Sequence, residues 1–348
     1  MTSMRPRLSF ILLIAFLSTA PLSLAAGAQS TVKLDAALDA ATDLPRMHSL
    51  LVGWRGQVVV ERYFNGTRAT RLANIKSASK SVISALVGIA IERGIIPGVK
   101  QPISAYFPEL AAQKDSTRQK ITIEDLLTMR SGLQTTSNRN YGAWVLSGNW
   151  VRHALSRPLV SAPGTEMEYS TGNTHLLSAI LTKATGKSTW QFAQEALAKP
   201  LGFSLAQWPR DPQGIFFGGN DMLMTPRQML SFGEMYLNKG RANNQQIVPA
   251  RWVDATKVPR TQSRRESDRF YGYGWWVRDL GGHQTYYAWG FGGQYIFVVP
   301  DLDLVVVTTS SSDVGEGRQT HRRSVYDMVE HFIIQPISSV SARAAVNR

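Results

Sequence analysis

The chain has 348 residues, 43% of them hydrophobic, with 38 Lys and Arg against 25 Asp and Glu and a formal net charge of +13. It contains no cysteine, which excludes thiol nucleophiles, thiolate metal sites and disulfide stapling, so an ordinary apolar core has to supply stability. The basic residues are dispersed, and the densest group, Arg260, Arg264 and Arg265, lacks the interleaved aromatics that stack bases, so nucleic acid is not an expected partner.

Arg5 and Arg7 precede an apolar run, Leu8 to Leu17, that is short for a bilayer span, and Ala26-x-Ala28 follows it. This reads as a signal peptide over residues 1–28, cleaved after Ala28, and predicts export to the periplasm or the medium. The alternative is an uncleaved membrane anchor. No later stretch stays apolar for about 18 residues, so no stable membrane insertion is expected after cleavage. Residues 29–348 suffice for a single domain.

Residues 29–45 are mixed and Ala-rich, without a clear period. Ser49 to Trp54 and Gln57 to Tyr63 are Val-rich runs around Arg55-Gly56 and read as a strand hairpin. From Ala78 to Arg93, Val82, Ile83, Leu86, Val87 and Ala90 recur at helical spacing, with Gly94 where a C-terminal glycine belongs. No charge separates Lys80 from Glu92, which predicts a helix buried on most sides.

Thr122-x-x-Asp125 opens a short helix through Leu127 that stops at Ser131-Gly132, and Asn173 to Lys183 and Pro226 to Leu237 have helical spacing. Tyr271 to Val277, Gln294 to Val299 and Leu304 to Thr309 read as consecutive antiparallel strands, Ser324 to Ile334 as a closing helix, and the tail beyond Pro336 as loosely ordered. Strands at both ends with helices between them predict an α+β fold. Approximately residues 45–100 and 265–335 share one antiparallel sheet flanked by helices, and a mainly helical lobe over 101–264 is inserted, with the active site in the cleft between.

A serine needs a base within reach to act as a nucleophile at neutral pH. Ser77-Ala78-Ser79-Lys80 offers one: with Ser77 at the start of the helix, the hydroxyl and the amine lie three positions apart on one face. The helix N-terminus adds unpaired N–H groups that favour a developing oxyanion, and burial would lower the lysine pKa. The bland alternative is an N-cap serine beside a solvated lysine. Spacing alone does not decide, since Ser30-Thr31-Val32-Lys33 matches it too without a buried helix behind it. Tyr169, after the Pro163-Gly164 turn, is either a proton shuttle or a half-buried packing aromatic. Ala288-Trp289-Gly290-Phe291-Gly292-Gly293, entering a strand, is either a ligand-facing edge or a glycine-rich turn.

The ordered set Ser77-x-x-Lys80, Tyr169 and Trp289-Gly290 resembles the beta-lactamase and penicillin-binding-protein superfamily, especially its class C and esterase-like branch. The connecting segments Ile121 to Leu133 and Tyr271 to Trp275 agree with that resemblance, and Glu168 to Asn173 with His175-Leu-Leu177, and Met224 to Arg227, are similar to aminohexanoate-dimer (nylon-oligomer) hydrolases. The resemblance covers roughly residues 48–335. It implies the beta-lactamase/transpeptidase-like fold and a covalent Ser77 ester, with Lys80 and Tyr169 handling protons and the Ser77 and Phe291 N–H groups forming the oxyanion hole. No cofactor or metal is implied. The small-molecule substrate would be an ester or a linear amide, bound with the help of Tyr141, Asn173, Trp289 and Gly290.

Two departures bear on substrate. Ala288 stands where lactamases and peptidases carry the Lys or His that recognises a substrate carboxylate, which argues against penicillins and peptidoglycan stems. Thr171 stands where the Tyr-x-Asn motif has its amide, with Asn173 two positions further as the expected substitute. A Ser-His-Asp hydrolase is disfavoured by the absence of a Gly-x-Ser-x-Gly elbow. The six histidines show no metal spacing and read as surface or packing residues. A D-amino-acid peptidase, a weak beta-lactamase and a catalytically silent cell-wall or ligand-binding relative are the alternatives. The oligomeric state is open.

Overall fold

The first of the two Val-rich runs near the start pairs on one side with the second run and on the other with the last strand of the sheet. In the computed structural model, which describes residues 1, 32–111 and 116–346, Met47–Trp54 (β1) and Gln57–Tyr63 (β2) form the hairpin. Thr261–Gln262 (β3), Phe270–Tyr271 (β4), Trp276–Leu280 (β5), His283–Gly290 (β6), Gln294–Val299 (β7) and Leu304–Ser310 (β8) complete one sheet of order β2-β1-β8-β7-β6-β5-β4-β3. All its pairings are antiparallel. The chain ends therefore meet at β1 and β8, with Leu51 opposite Val307 and Gly53 opposite Val305.

Every residue of β7 and β8 is buried, which requires cover on both sheet faces. Alternation sorts the side chains. Val305 and Val307 join the apolar core that contains the helix Ser79–Glu92 (α2), whereas Leu304 and Val306 join a second core on the opposite face. The helix Pro226–Leu237 (α5) packs on the first face, and Asp35–Thr42 (α1) with Arg318–Val329 (α6) close the second. Between β2 and β3 run mainly short helices, among them Ile123–Leu127 (α3), capped by a reciprocal Thr122–Asp125 box, and the longer Thr171–Thr185 (α4). Residues from Val32 onward pack as one compact unit. No described helix is long and apolar enough to cross a membrane.

Several expectations shift. Ser77 lies in a 3₁₀ turn, Lys76–Ala78, that feeds α2 instead of starting it. The Tyr271 to Val277 run is broken by Gly274, whose φ of +77° turns the chain between β4 and β5. Ala288 to Gly290 closes β6 rather than entering a strand, and the residues that follow turn into β7. The Ala-rich segment contains α1. The closing helix begins at Arg318 and passes through a π turn, Glu330–Ile334, into Gln335–Val346 (α7), where a loose tail was expected. The signal peptide with its Ala28 cleavage site, and Ser30 of the second Ser-x-x-Lys match, lie outside the described residues.

Twelve of the fourteen residues of α2, Ser79 through Ala90, are buried. Its apolar contacts rather than its propensity hold it, since Val and Ile are mediocre helix formers. Ile83→Ala, a truncation in the middle of this helix, is expected to lower unfolding free energy by about 2–5 kcal/mol, read as a reduced urea midpoint at unchanged m-value.

Candidate active site

The turn that carries Ser77 is held from outside. Lys76 has φ of +49°, a left-handed conformation that costs a non-glycine residue energy. Its N–H donates to Asn74 Oδ1 at 3.0 Å, and its Nζ meets Asp221 Oδ1 at 2.8 Å. Asn74 Nδ2 donates to the same Asp221 oxygen at 2.7 Å. These contacts fix the backbone immediately before the partly exposed Ser77.

Lys80 follows one helical turn later and is 1% exposed. Its Nζ lies 2.9 Å from Ser77 Oγ, donates to Gly219 O at 2.6 Å and sits 3.4 Å from Thr171 Oγ1. Desolvation brings its pKa down to about 7, against the opposing pull of Asp221. A buried amine with this pKa is available as a base near neutral pH, the property that distinguishes it from a solvated lysine.

Tyr169 precedes α4 and lies over the same amine, with Lys80 Nζ 5.2 Å from its ring centroid. Burial pushes its phenol up to about 12, opposed by a hydrogen bond with Ser77 and by the charge of Arg269. The ring stacks on Trp276 of β5 at 5.6 Å and 20°. Tyr169 is thus gathered with Ser77 and Lys80.

Thr171, read as a lost amide, contacts Lys80 itself, and its Oγ1 is 2.9 Å from Ser137 Oγ. Asn173 does not take the amide's place beside Lys80. It turns into the protein, buried, and its Oδ1 accepts from Ser131 Oγ at 3.0 Å. The helical period explains this, because residues two apart point about 200° away from each other. Tyr141 stacks on Phe217 at 6.4 Å, and its hydroxyl accepts from Asn220 Nδ2 at 2.7 Å. It therefore borders the loop whose Gly219 holds Lys80.

Gly290 ends β6 against the turn that carries Ser77: a Cβ there would fall 2.1 Å from Ile75 O. The next residue, Phe291, is exposed at the turn into β7. Trp289 points to the other sheet face, stacked on Tyr295 at 6.3 Å and 4° and flanked by the guanidinium groups of Arg269 and Arg322 at 5.1 and 5.6 Å. It connects with Tyr169 through Trp276, 5.9 Å away. Ala288 is buried in the first core and brings no charge to the site. Among the described residues no three His, Asp or Glu side chains converge in a metal-binding arrangement.

Sequence reasoning missed Gly219, Asp221 and the direct Thr171 contact. The Gly218-Gly219-Asn220-Asp221 run was the available signal, but a backbone carbonyl acceptor has no side-chain signature.

Fold and site together describe a protein built around a serine hydroxyl and a buried lysine. The profile of the Beta-lactamase family matches residues 45–328, and the chain belongs to that family. It is 22% identical over 234 residues to the D-alanyl-D-alanine-carboxypeptidase/endopeptidase AmpH of Escherichia coli K12, covering 59% of this chain and 60% of AmpH. A 6-aminohexanoate-dimer hydrolase homologue from Bacillus anthracis superposes with a TM-score of 0.70 at 21% identity, over 86% of this chain and 82% of that one. EstCE1, described as a hydrolase with promiscuous acyltransferase activity, superposes with a TM-score of 0.67 at 19% identity, over 84% and 98%. Members of the family are serine hydrolases.

Burying Lys80 carries a stability cost of definite sign. Its folded pKa of about 7 lies below the ordinary lysine value of 10.5, so between these limits the unfolded chain binds the extra proton and stability rises with pH. Relative to Lys80→Met, the wild type should gain up to about 1.4 kcal/mol per pH unit across that window. Urea unfolding of both proteins from pH 7 to 10 checks this, with Lys80→Met the more stable at pH 7.

Proposed function

We propose that this protein hydrolyses small esters or linear amides through an acyl-enzyme on Ser77. The carrying observation is the buried Lys80 amine 2.9 Å from Ser77 Oγ. Neutral Lys80 takes the hydroxyl proton as Ser77 Oγ bonds to the substrate carbonyl carbon, and the carbonyl π electrons move onto oxygen. The Ser77 and Phe291 N–H groups receive that oxyanion. In support, nothing among the described residues accepts from the Phe291 N–H, and Gly290 lets the strand end approach the nucleophile turn.

Collapse of the tetrahedral intermediate breaks the bond to the alkoxide or amine, which leaves with a proton from the Tyr169 phenol. A phenol held at about 12 is neutral at physiological pH and suits that donor role. The phenolate is reprotonated from the Lys80 ammonium, restoring the neutral amine. Water then attacks the acyl ester, giving up a proton to Lys80 while Ser77 departs and is reprotonated. Tyr141, hydrogen-bonded to Asn220 beside Gly219, is placed to contact the leaving group.

Ala288 favours esters and linear amides over beta-lactams, since its buried methyl stands where the lactamases and peptidases that the chain resembles carry a carboxylate-binding Lys or His. The second reading, a D-amino-acid peptidase, is favoured by the AmpH relative. Export, with cleavage after Ala28, belongs to the same proposal, and amino-terminal sequencing of the processed protein should then begin at Gln29.

A fluorophosphonate probe should label Ser77 in the wild type and not in Ser77→Ala, whose ester turnover should fall by about 10³-fold or more. In parallel assays p-nitrophenyl acetate or butyrate should be cleaved with higher kcat/KM than a cephalosporin. Efficient cephalosporin turnover with negligible ester cleavage would overturn the substrate reading, and absent labelling of folded protein would overturn the hydrolase reading itself. The acid limb of kcat/KM should lie near pH 7, where Lys80 loses its proton.

A further inference from the structure

His175 and Asp211 form a fully buried pair that makes no contact with Ser77, His175 Nε2 lying 3.0 Å from Asp211 Oδ2 with both side chains at 0% exposure. The imidazole is enclosed by the rings of Trp144, Trp150 and Phe217, with centroids 5.4 to 5.9 Å away. Its second nitrogen, Nδ1, accepts the Gly218 N–H at 3.3 Å. The next residue is Gly219, whose carbonyl accepts from Lys80 Nζ at 2.6 Å. His175 also lies one turn along α4 from Thr171, the other protein oxygen from this region at the amine.

We infer that the Asp211–His175 pair is a positioning device for Lys80: it holds the tautomer of His175 that accepts from Gly218, and so aims the Gly219 carbonyl at the amine. This deepens the hydrolase reading and rests on it for its catalytic consequence. The tautomer follows from the contacts. Nδ1 uses its lone pair to accept from Gly218, so the proton sits on Nε2 and is donated to the Asp211 carboxylate. Asp211 is itself oriented, its Oδ1 accepting the N–H groups of Gln213 at 2.9 Å and Ile215 at 2.8 Å.

The glycine pair leaves no slack. A Cβ on Gly218 would come 2.3 Å from Thr174 O and 2.6 Å from His175 Cα, and one on Gly219 would sit 3.2 Å from Lys80 Nζ. The loop therefore closes directly on α4 and on the amine. Around Lys80 the remaining polar neighbours are Ser77, Thr171, Tyr169 and, by charge, Asp221. The carbonyl of Gly219 is the shortest of the hydrogen bonds at its Nζ, so rotating it away removes the strongest acceptor of the ammonium.

Asp211→Asn tests the tautomer. An amide can donate to His175 Nε2, which moves the ring proton to Nδ1 and leaves the Gly218 N–H without an acceptor. His175→Gln keeps the Asp211 charge, and so separates loss of the brace from loss of a carboxylate. In full-length protein with ¹³C-labelled lysine, the Lys80 titration midpoint should fall by about half a pH unit or more in both variants, because the ammonium loses an acceptor. The acid limb of kcat/KM for p-nitrophenyl butyrate should move down with it, and kcat should drop about 10- to 100-fold with KM little changed.

Thermal unfolding and circular dichroism identify the folded variant on which the readout is made. An unmoved Lys80 midpoint in a folded variant overturns the inference whatever happens to kcat. Absence of Ser77 labelling in the wild type overturns the hydrolase reading instead, and leaves the Lys80 titration to decide the brace.

Discussion

Everything in the site depends on one amine kept out of water without a carboxylate of its own. Lys80 is almost fully buried, and the nearest acid that acts on it, Asp221, already receives hydrogen bonds from Lys76 and Asn74. Desolvation therefore outweighs Coulomb attraction, and the neutral amine becomes accessible near neutral pH. A well-placed carboxylate at Nζ would reverse that balance and hold the lysine protonated. The three oxygens it does touch, from Ser77, Thr171 and Gly219, satisfy its hydrogen-bonding capacity without restoring a full counter-charge.

The fold pays for this environment by surrounding α2 almost completely. One sheet face and the inserted helices both pack on it, so a lysine in its first turn has no route for its charged end to reach solvent. The same packing brings three other chain segments to the 3₁₀ turn of Ser77: the start of α4, the loop at Gly219 and the end of β6. The Ser77 hydroxyl is partly exposed beside an amine that is not, the arrangement that the proposed nucleophile and base would need.

Tyr169 receives different support. Its ring has the Lys80 amine 5.2 Å from its centroid and stacks on Trp276, whose indole carries the buried Arg269 guanidinium 4.6 Å from its centroid. Burial raises the phenol pKa while Arg269 and the Ser77 hydrogen bond oppose the rise. The two groups are consequently pushed apart, the lysine down to about 7 and the phenol up to about 12, the separation that the proposed roles of base and acid would require. The cation at Arg269 sits behind two tryptophans, and position 288 offers only a methyl group. Positive charge thus supports the site from behind its wall.

Much of this was legible in the order of residues. Hydrophobic period located α2 and the hairpin, Thr122-x-x-Asp125 marked the start of α3, Thr225-Pro226 began α5, and β-branched runs marked β7 and β8, because each signal is local and its physics acts within a few residues. Ser77, Lys80 and Tyr169 could be singled out as candidates from residue type, order along the chain and the family resemblance that this order carries, since spacing alone is matched equally by Ser30 and Lys33. What only the tertiary structure decided are contacts between distant segments. Thr171 rather than Asn173 meets the lysine, Trp289 lies on the other sheet face, and a buried His175–Asp211 pair stands behind a backbone carbonyl. Side-chain direction on α4 and β6, and the aim of a carbonyl in a glycine loop, depend on how whole elements pack, and no local pattern of residue types encodes them.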